Sequence, residues 1–290
     1  MYKRQACFII LTLVLFVVAY PLYWVIISSI SAPSAVSSGK VLLHPIGFTL
    51  KGYAEVFKND QVMRGFLNSL IITFCGVMVN LIVTLPTSYA LSRSNFSGKK
   101  PITIFYLITM FFGGGLIPTY LVIQRLQMLN TIWALILPGC LSVYNMIVAR
   151  TFFKSNISEE LYEAAEIDGC TQARFFFQIA LPLSKAIIAI LVLYYGVGHW
   201  NSYFSALVYI SDKAKYPLQL VLRNILITNQ TALSQTATTA AARAALQEKQ
   251  QLIDVMKYSL IIISSIPVLV MYPLVQKHFV KGVMIGSMKG

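Results

Sequence analysis

Residues 65–92 read GFLNSLIITFCGVMVNLIVTLPTSYALS, with Arg64 before them, Arg93 after them and no charge between. A helix that crosses a bilayer needs about 20 consecutive, mostly apolar residues, and this stretch exceeds that. Five windows of the same kind lie on either side. One follows Arg4, and its apolar part runs from Cys7 to about Ile30. The others lie between Lys100 and Arg125, Arg125 and Arg150, Lys185 and Asp212, and Lys257 and Lys277. Together they predict an all-α integral membrane protein with six transmembrane helices, over about 7–30, 66–92, 101–124, 128–149, 183–210 and 258–277. These form a single transmembrane domain covering 1–290.

Composition agrees. Of 290 residues, 57 % are apolar and 11 % are charged, with a mean hydropathy of +0.70. Soluble domains carry about 25 % charge, so a soluble enzyme, a disordered tail or a basic nucleic-acid binder does not fit. The net charge of +13 suits the flanks of membrane helices, where basic residues gather. Cys7, Cys75 and Cys140 fall in apolar windows and Cys170 lies in a loop, so no disulfide framework is expected.

The first window is too long for a cleaved leader, holds Pro21, Tyr23 and Trp24, and has no Ala-x-Ala site directly after it. The opening Met1–Gln5 reads like a translated sequencing adapter, so Lys3 and Arg4 do not count toward orientation. The remaining basic residues favour both termini inside. Arg93, Lys99 and Lys100 then share one internal loop, Arg150, Lys154, Arg174 and Lys185 a second, and Lys277, Lys281 and Lys289 the tail. Between spans three and four the external side carries only Arg125.

Outside the spans, residues 31–64 form a loop with Pro33 and Pro45. Residues 211–257 form an external segment, whose part 228–246 is rich in Thr, Ala, Ser and Gln. That composition fits a flexible linker or an alanine-rich helix. Residues 156–182 carry local signals of an elbow. Ser158 or Asn156 caps a helix, with Glu159 and Glu160 in its positive first turn. Gly169 suits the helix stop, where a left-handed residue is common. Thr171 caps a second short helix through 175–179, and Leu181-Pro182 ends it, with Pro182 in the first turn of the fifth span. The product is a helix–turn–helix elbow on the cytoplasmic side. A solvated connector would meet the same local rules.

A longer pattern separates the two. Glu163-Ala164-Ala165 is followed by three residues, Gly169, nine residues, Ile179, one residue and Leu181-Pro182. This spacing, between spans four and five, resembles the EAA loop of ABC-importer permeases. FGGGLIPTY at 112–120, GHWNSY at 198–203 and PLQLVLR at 217–223 resemble the carbohydrate-uptake branch. The likeness is to LplC/YtcP-like permeases, and more distantly to the MalG half of the maltose importer. It covers nearly the whole chain and implies the type I importer (MetI-like) permease fold. It also implies a second, different permease subunit, two cytosolic ATPase subunits and an external solute-binding lipoprotein delivering a sugar. The family's elbow inserts into a cleft of the ATPase. By that match Glu163, Ala164, Ala165, Asp168 and Gly169 are the coupling residues. ATP and Mg would be bound by the ATPase, with no cofactor in this chain.

Polar groups inside a bilayer are costly and usually face protein or a water-filled path. Span five holds the densest set, including Tyr194, Tyr195, His199, Trp200, Asn201, Ser202, Tyr203 and Ser205. Sugars take flat rings on their C–H faces and amides or hydroxyls on their hydroxyls. His199, Trp200, Asn201 and Tyr203 are therefore candidates for the substrate path. An interfacial aromatic belt or bonding between helices would use the same residues. Gly113–Gly115 and Pro118 mark a break in span three, read as a hinge, a cavity wall or, first of all, close packing. Asn68, Asn80, Pro86 and Asn145 are read as packing residues, and His44 and His278 as ordinary isolated residues.

No phosphate-binding G-x-x-x-x-G-K-[ST] run occurs, so the chain is not expected to hydrolyse ATP. No catalytic or metal-binding cluster is expected, and the five acidic residues over 159–168 read as the charged face of a capped helix. All ten acidic residues lie outside the windows, which disfavours an ion-coupled carrier. A membrane-embedded enzyme would need more than the single intramembrane His199.

Overall fold

The structure is a computed structural model that describes residues 2–232 and 240–287. Residues 233–239 of the Thr/Ala/Ser/Gln-rich piece lie outside the described residues, as does Lys289. So do the side chains of Lys277, His278 and Lys281. Among the described residues there are helices and no strands. Three helices hold stretches long and apolar enough to cross a membrane, over Gln5–Ser29, Asp60–Ser92 and Gln250–Pro273. Three bent helix pairs bring the number to six if each pair is one span.

In chain order the helices are α1 (Tyr2–Ser29), α2 (Pro33–Ser37), α3 (Lys51–Lys58) and α4 (Asp60–Ser92). Then come α5 (Lys99–Phe111), α6 (Leu116–Arg125), α7 (Trp133–Ile136) and α8 (Val143–Asn156). The elbow follows as α9 (Glu159–Ile167) and α10 (Gln172–Leu183), the latter with a π turn at Phe176–Ala180. The chain continues through α11 (Lys185–Trp200), α12 (Tyr203–Tyr209), α13 (Leu218–Ala232) and α14 (Ala240–Ser287).

Three of the expected spans are broken helices. Span three is α5 and α6, bent by 114°. Gly113 and Gly115 have nothing within 4 Å of an added Cβ, and Gly115 sits at φ +86. These glycines therefore serve the change of backbone direction rather than close packing within the chain. Span four is the stretch Trp133–Gly139, which contains α7, and α8, bent by 52° across residues 140–142, with α8 continuing to Asn156. Within the expected 183–210 the helix of span five is interrupted. α11 ends at Trp200, and α12 starts only after Asn201 and Ser202. Pro182 lies in the last turn of α10, ahead of an 80° bend at Ser184, and not in the first turn of α11. The sixth span is part of the 48-residue α14, whose alanine-rich start at Ala240 is helical.

The helices gather into two compact units, and α4 and α14 each run from one into the other. Unit one is Met1–Phe66 with Leu218–Pro267. Its core joins Ile27, Ala35, Val36, Val41 and Val255, with Trp24 and Tyr258 in an edge contact at 5.1 Å. α3 lies flush on α14, because a Cβ on Gly52 would strike Ser259 and Val255. Unit two is Leu67–Pro217 with Val268–Gly290. Its core runs from Leu191 and Tyr195 through Leu85, Tyr89 and Phe153 to the base of the elbow at Tyr162, Phe175 and Phe176.

Candidate functional site

The elbow is built by local rules at every joint. α8 stops at Asn156, and Ser158 takes an extended conformation and accepts from Leu161 N through its hydroxyl. Glu159 and Glu160 occupy the first turn of α9. At the other end Gly169 sits at φ +77, Gly169 N donates to Glu166 O at 3.0 Å, and Cys170 N donates to Ala165 O at 2.9 Å. This pair of bonds is a Schellman stop, which needs a left-handed residue at Gly169's position. Thr171 Oγ1 then accepts from Arg174 N and opens α10. Ser184 takes the 80° bend into α11.

Aromatic packing and one ion pair hold the elbow to the helices beneath it. Tyr162 packs edge-on to Phe175 at 5.2 Å, and Tyr89 packs against Phe153, Phe175 and Phe176. Just past the end of α4, Arg93 lies over the Tyr162 ring at 4.2 Å and pairs with Glu159. Ser94 N donates to the other carboxylate oxygen of Glu159. Partial burial pulls the Glu159 carboxyl upward. The Ser94 bonds, Arg93 and Lys99 together outweigh that and hold it below the usual carboxylate range. Arg150 Nε donates to Leu91 O at 3.0 Å and ties α8 to α4.

Of the five coupling candidates, Glu163, Ala164, Asp168 and Gly169 are exposed, while Ala165 turns inward against the aromatic cluster. The exposed face also holds Ile167, with 87 % of its surface free, beside Glu160, Glu163 and Ala164 in helical register. Ile167 escaped sequence reasoning. Its position three and four residues after Ala164 and Glu163 was the available signal.

The structure separates the four substrate-path candidates. Trp200 is 2 % exposed, inside the bundle. His199 is half-buried, with its ring against Gly76, where a Cβ would not fit. Asn201 and Tyr203 are exposed, and Asn201 Nδ2 donates back to Val197 O. Tyr194, Gly198 and Asn201 form an exposed stripe along α11, and nothing lies within 4 Å of a Cβ on Gly198.

His199 belongs to a polar relay. Asn80 Nδ2 donates to Gly139 O at 2.8 Å, so its Oδ1 faces the ring and accepts from His199 Nε2 at 2.7 Å. One turn on, Ser142 N donates to the Tyr195 hydroxyl, whose proton is then free for Thr84 Oγ1 at 2.8 Å. A third rung runs from Ser88 Oγ to Met146 O at 3.0 Å. Gly76, Asn80, Thr84 and Ser88 thus form one face of α4 at four-residue spacing. They meet the backbone of the broken α7–α8 span and the side chains of α11. Irregular backbone at membrane depth needs such partners. The expected packing role of Asn80 is the right kind of role, and Thr84, Ser88 and Ser142 were missed.

Comparison with known proteins gives the family. No family model matches the chain. It is 39 % identical over 270 residues to the protein LplC of Bacillus subtilis, covering 93 % of this chain and 89 % of the relative. It is 37 % identical over 270 residues to the polygalacturonan/rhamnogalacturonan transport system permease protein YtcP of the same organism, covering 93 % and 92 %. The chain belongs to the carbohydrate-uptake permeases of ABC importers. A chain from the crystal structure of a bacterial ABC transporter involved in the import of the acidic polysaccharide alginate superposes with a TM-score of 0.85. It is 27 % identical, with 96 % of each chain covered.

This permease is therefore an all-α integral membrane subunit of an ATP-driven carbohydrate importer, with an ATPase and a binding protein as partners. It is a transport subunit and not an enzyme. Among the described residues no group of three His, Cys, Asp or Glu is placed to hold a metal.

Proposed function

We propose that the elbow is the surface through which an ATPase drives this permease, with Glu163, Ala164, Asp168, Gly169 and Ile167 at the contact. Ala165 belongs to its foundation. What carries the reading is the contrast between the two faces of α9. One face is locked to α4 by Arg93, Tyr162 and Tyr89, and the other offers small and apolar groups among carboxylates. ATP binding closes the ATPase dimer and displaces its clefts. An elbow seated in a cleft then moves as a lever on α8 and α11, the helices it joins. Nucleotide thereby biases a two-state element, and the coupling is reciprocal in binding energy.

The full importer in this reading has this chain, a second and different permease, two ATPase subunits and an extracytoplasmic binding lipoprotein. ATP and Mg sit on the ATPase, and both termini of this chain are cytoplasmic. The sugar is an oligosaccharide that passes the exposed face of Asn201 and Tyr203, with Tyr194 beside them. His199 and Trp200 set the shape of that face from behind.

The test is purification of the tagged chain from its host in mild detergent, followed by cross-linking from Ala164→Cys. Ala164 is exposed where Ala165 is turned in. Recovery of a second permease and an ATPase, with the cross-link reaching the ATPase, is the expected result. A cross-link to the other permease alone would remove the elbow from the coupling role.

A further inference from the structure

We propose that the cavity behind the elbow binds a small ring-bearing monocarboxylate, and that this occupant restrains the elbow. The site stands on the cavity alone, whereas the restraint rests on the coupling role proposed for the elbow.

The cavity has a volume of about 300 Å³ and lies within unit two, between the last two turns of α4, the residues that follow them and the start of α10. Both Pro86 and Arg93 line it. Seven residues of helix separate these two, or about 10 Å. Arg93 is the first residue past the apolar stretch Asp60–Ser92, so the cavity runs from the edge of the span inward. Tyr89, Tyr162 and Phe176, each at most 8 % exposed, give it aromatic walls.

Around Arg93 the polar groups are donors. Arg93 gives one N–H to Glu159. The other four of the five N–H groups of a guanidinium have no partner among the described residues. The side chain is only 12 % exposed, and polar groups so placed are nearly always bonded. Asn95 Oδ1 accepts from Ser94 Oγ, which leaves the Asn95 amide N–H groups, and Gln172 adds a second amide. No acidic residue lines the cavity. Of the charges that act on one another here, Arg93 and Lys99 are positive and Glu159 is negative. One positive charge is left over.

The occupant that meets these features carries one negative charge at the Arg93 end and a flat ring between the aromatic walls. A carboxylate suits a guanidinium, which it can engage through two parallel bonds, and rings stack on Tyr and Phe. The volume is at the small end for ligand pockets. It holds one ring and is too small for a two-chain lipid or for a helix of another subunit. A molecule seated there touches α4, α9 through Tyr162, and α10 together. It keeps the elbow at its present distance from α4 and opposes the lever movement. A ring acid that accumulates on the elbow side of the membrane thus restrains import.

Ligand-observed NMR on the complete importer in nanodiscs tests this. Benzoate and glucuronate are the ring acids; acetate lacks the ring and glucose lacks the charge. Saturable transfer to the ring acids is expected, and none to the controls. The tighter of the two names the source, an aromatic acid or a sugar acid. Gln172→Glu sets a carboxylate at the cavity without removing the Arg93–Glu159 pair, and it should weaken binding roughly tenfold or more. Ala173→Phe fills the space and should abolish binding; if it does not assemble, Gln172→Glu decides alone. The tighter acid should also lower sugar-stimulated ATP hydrolysis in the parent and not in Gln172→Glu. Binding that persists in the variants, or that acetate and glucose match, overturns the site. So does a parent importer that binds neither ring acid, which would place a partner chain in the cavity. Binding with unchanged hydrolysis overturns the restraint. A failed cross-link from Ala164→Cys with binding intact strikes the coupling role and not the site.

Discussion

Gly169 does two jobs at one position, and substitution separates them. Its φ of +77 is a conformation that costs an L-residue roughly 1–2 kcal/mol, and among the described residues nothing lies within 4 Å of an added Cβ. Gly169→Ala therefore carries only the backbone cost and should leave a weakened but working elbow. Asp visits the left-handed region more readily than Ala, so Gly169→Asp tests the docking face instead. It puts a charge beside Ile167 and Ala164, where an ATPase wall would come close under the proposed coupling. We expect Gly169→Asp to insert and accumulate normally and to lose transport, with Gly169→Ala between it and the parent. Sugar uptake normalised to permease level measures this, and near-normal uptake by Gly169→Asp would refute the elbow's role.

Glu159 adds a pH dependence at the same scale. Its carboxyl is held below the usual range in the folded elbow. The stability this gives is fully present above the unfolded value of about 4.3 and fades as pH falls through the lower folded value. The elbow should thus be equally firm throughout the neutral range and loosen only in acid. Anisotropy of a fluorophore on Ala164→Cys should report that loosening, and Glu159→Gln should be loose at every pH. Because the carboxylate is partly open to solvent, the loss should be a softening and not an unfolding.

At the scale of elements, the relay between α4, the α7–α8 break and α11 is where coupling can fail without the fold failing. Hydrogen bonds inside membranes average about 0.6 kcal/mol and reach about 1.7. Removing one therefore shifts any equilibrium of the break by about 3- to 20-fold and should not unfold the bundle. His199→Leu deletes the donor that orients Asn80, and Gly139 O then loses its fixed partner. His199→Gln keeps an N–H donor near the same place. We expect the Leu variant to assemble and hydrolyse ATP but to move less sugar per ATP, and the Gln variant to recover most of the loss. Equal behaviour of the two would show that ring volume matters, not the bond.

This element also shows what the sequence made legible. The charge-free windows and the cap residues Ser158, Gly169 and Thr171 are local signals, and the structure realises each cap. The relay joins residues 53 to 119 positions apart. No local rule pairs Asn80 with Gly139, although the four-residue spacing of Gly76, Asn80, Thr84 and Ser88 marks a contact face. The reading of span five as a sugar site failed to separate its faces for a related reason. At 3.6 residues per turn, His199 and Tyr195 fall on one side and Asn201, Gly198 and Tyr194 on the other. The division becomes informative only once α4 is known to cover the first side.

For the whole molecule, the elbow, the relay and the exposed stripe of α11 lie along one continuous path of packed helices in unit two. In the proposed mechanism the elbow would receive the movement of the ATPase and the relay would fix where α8 and α11 turn, while Asn201 and Tyr203 stand at the far end of α11. Damage at the two ends should therefore differ in kind. Asn201→Ala and Tyr203→Ala remove a hydrogen-bonding amide and a flat ring from an exposed face, and neither side chain supports the core. They should raise the concentration of loaded binding protein needed for half-maximal uptake, with the sugar-to-ATP ratio kept. Gly169→Asp should do the reverse, leaving little sugar-stimulated hydrolysis at any concentration. Uptake and ATP hydrolysis in proteoliposomes, titrated with galacturonate oligosaccharides and with neutral ones, separate the two. If Asn201→Ala and Tyr203→Ala leave the uptake curve unchanged for every sugar that drives the parent, the α11 stripe faces another subunit, and the sugar contacts belong to the second permease.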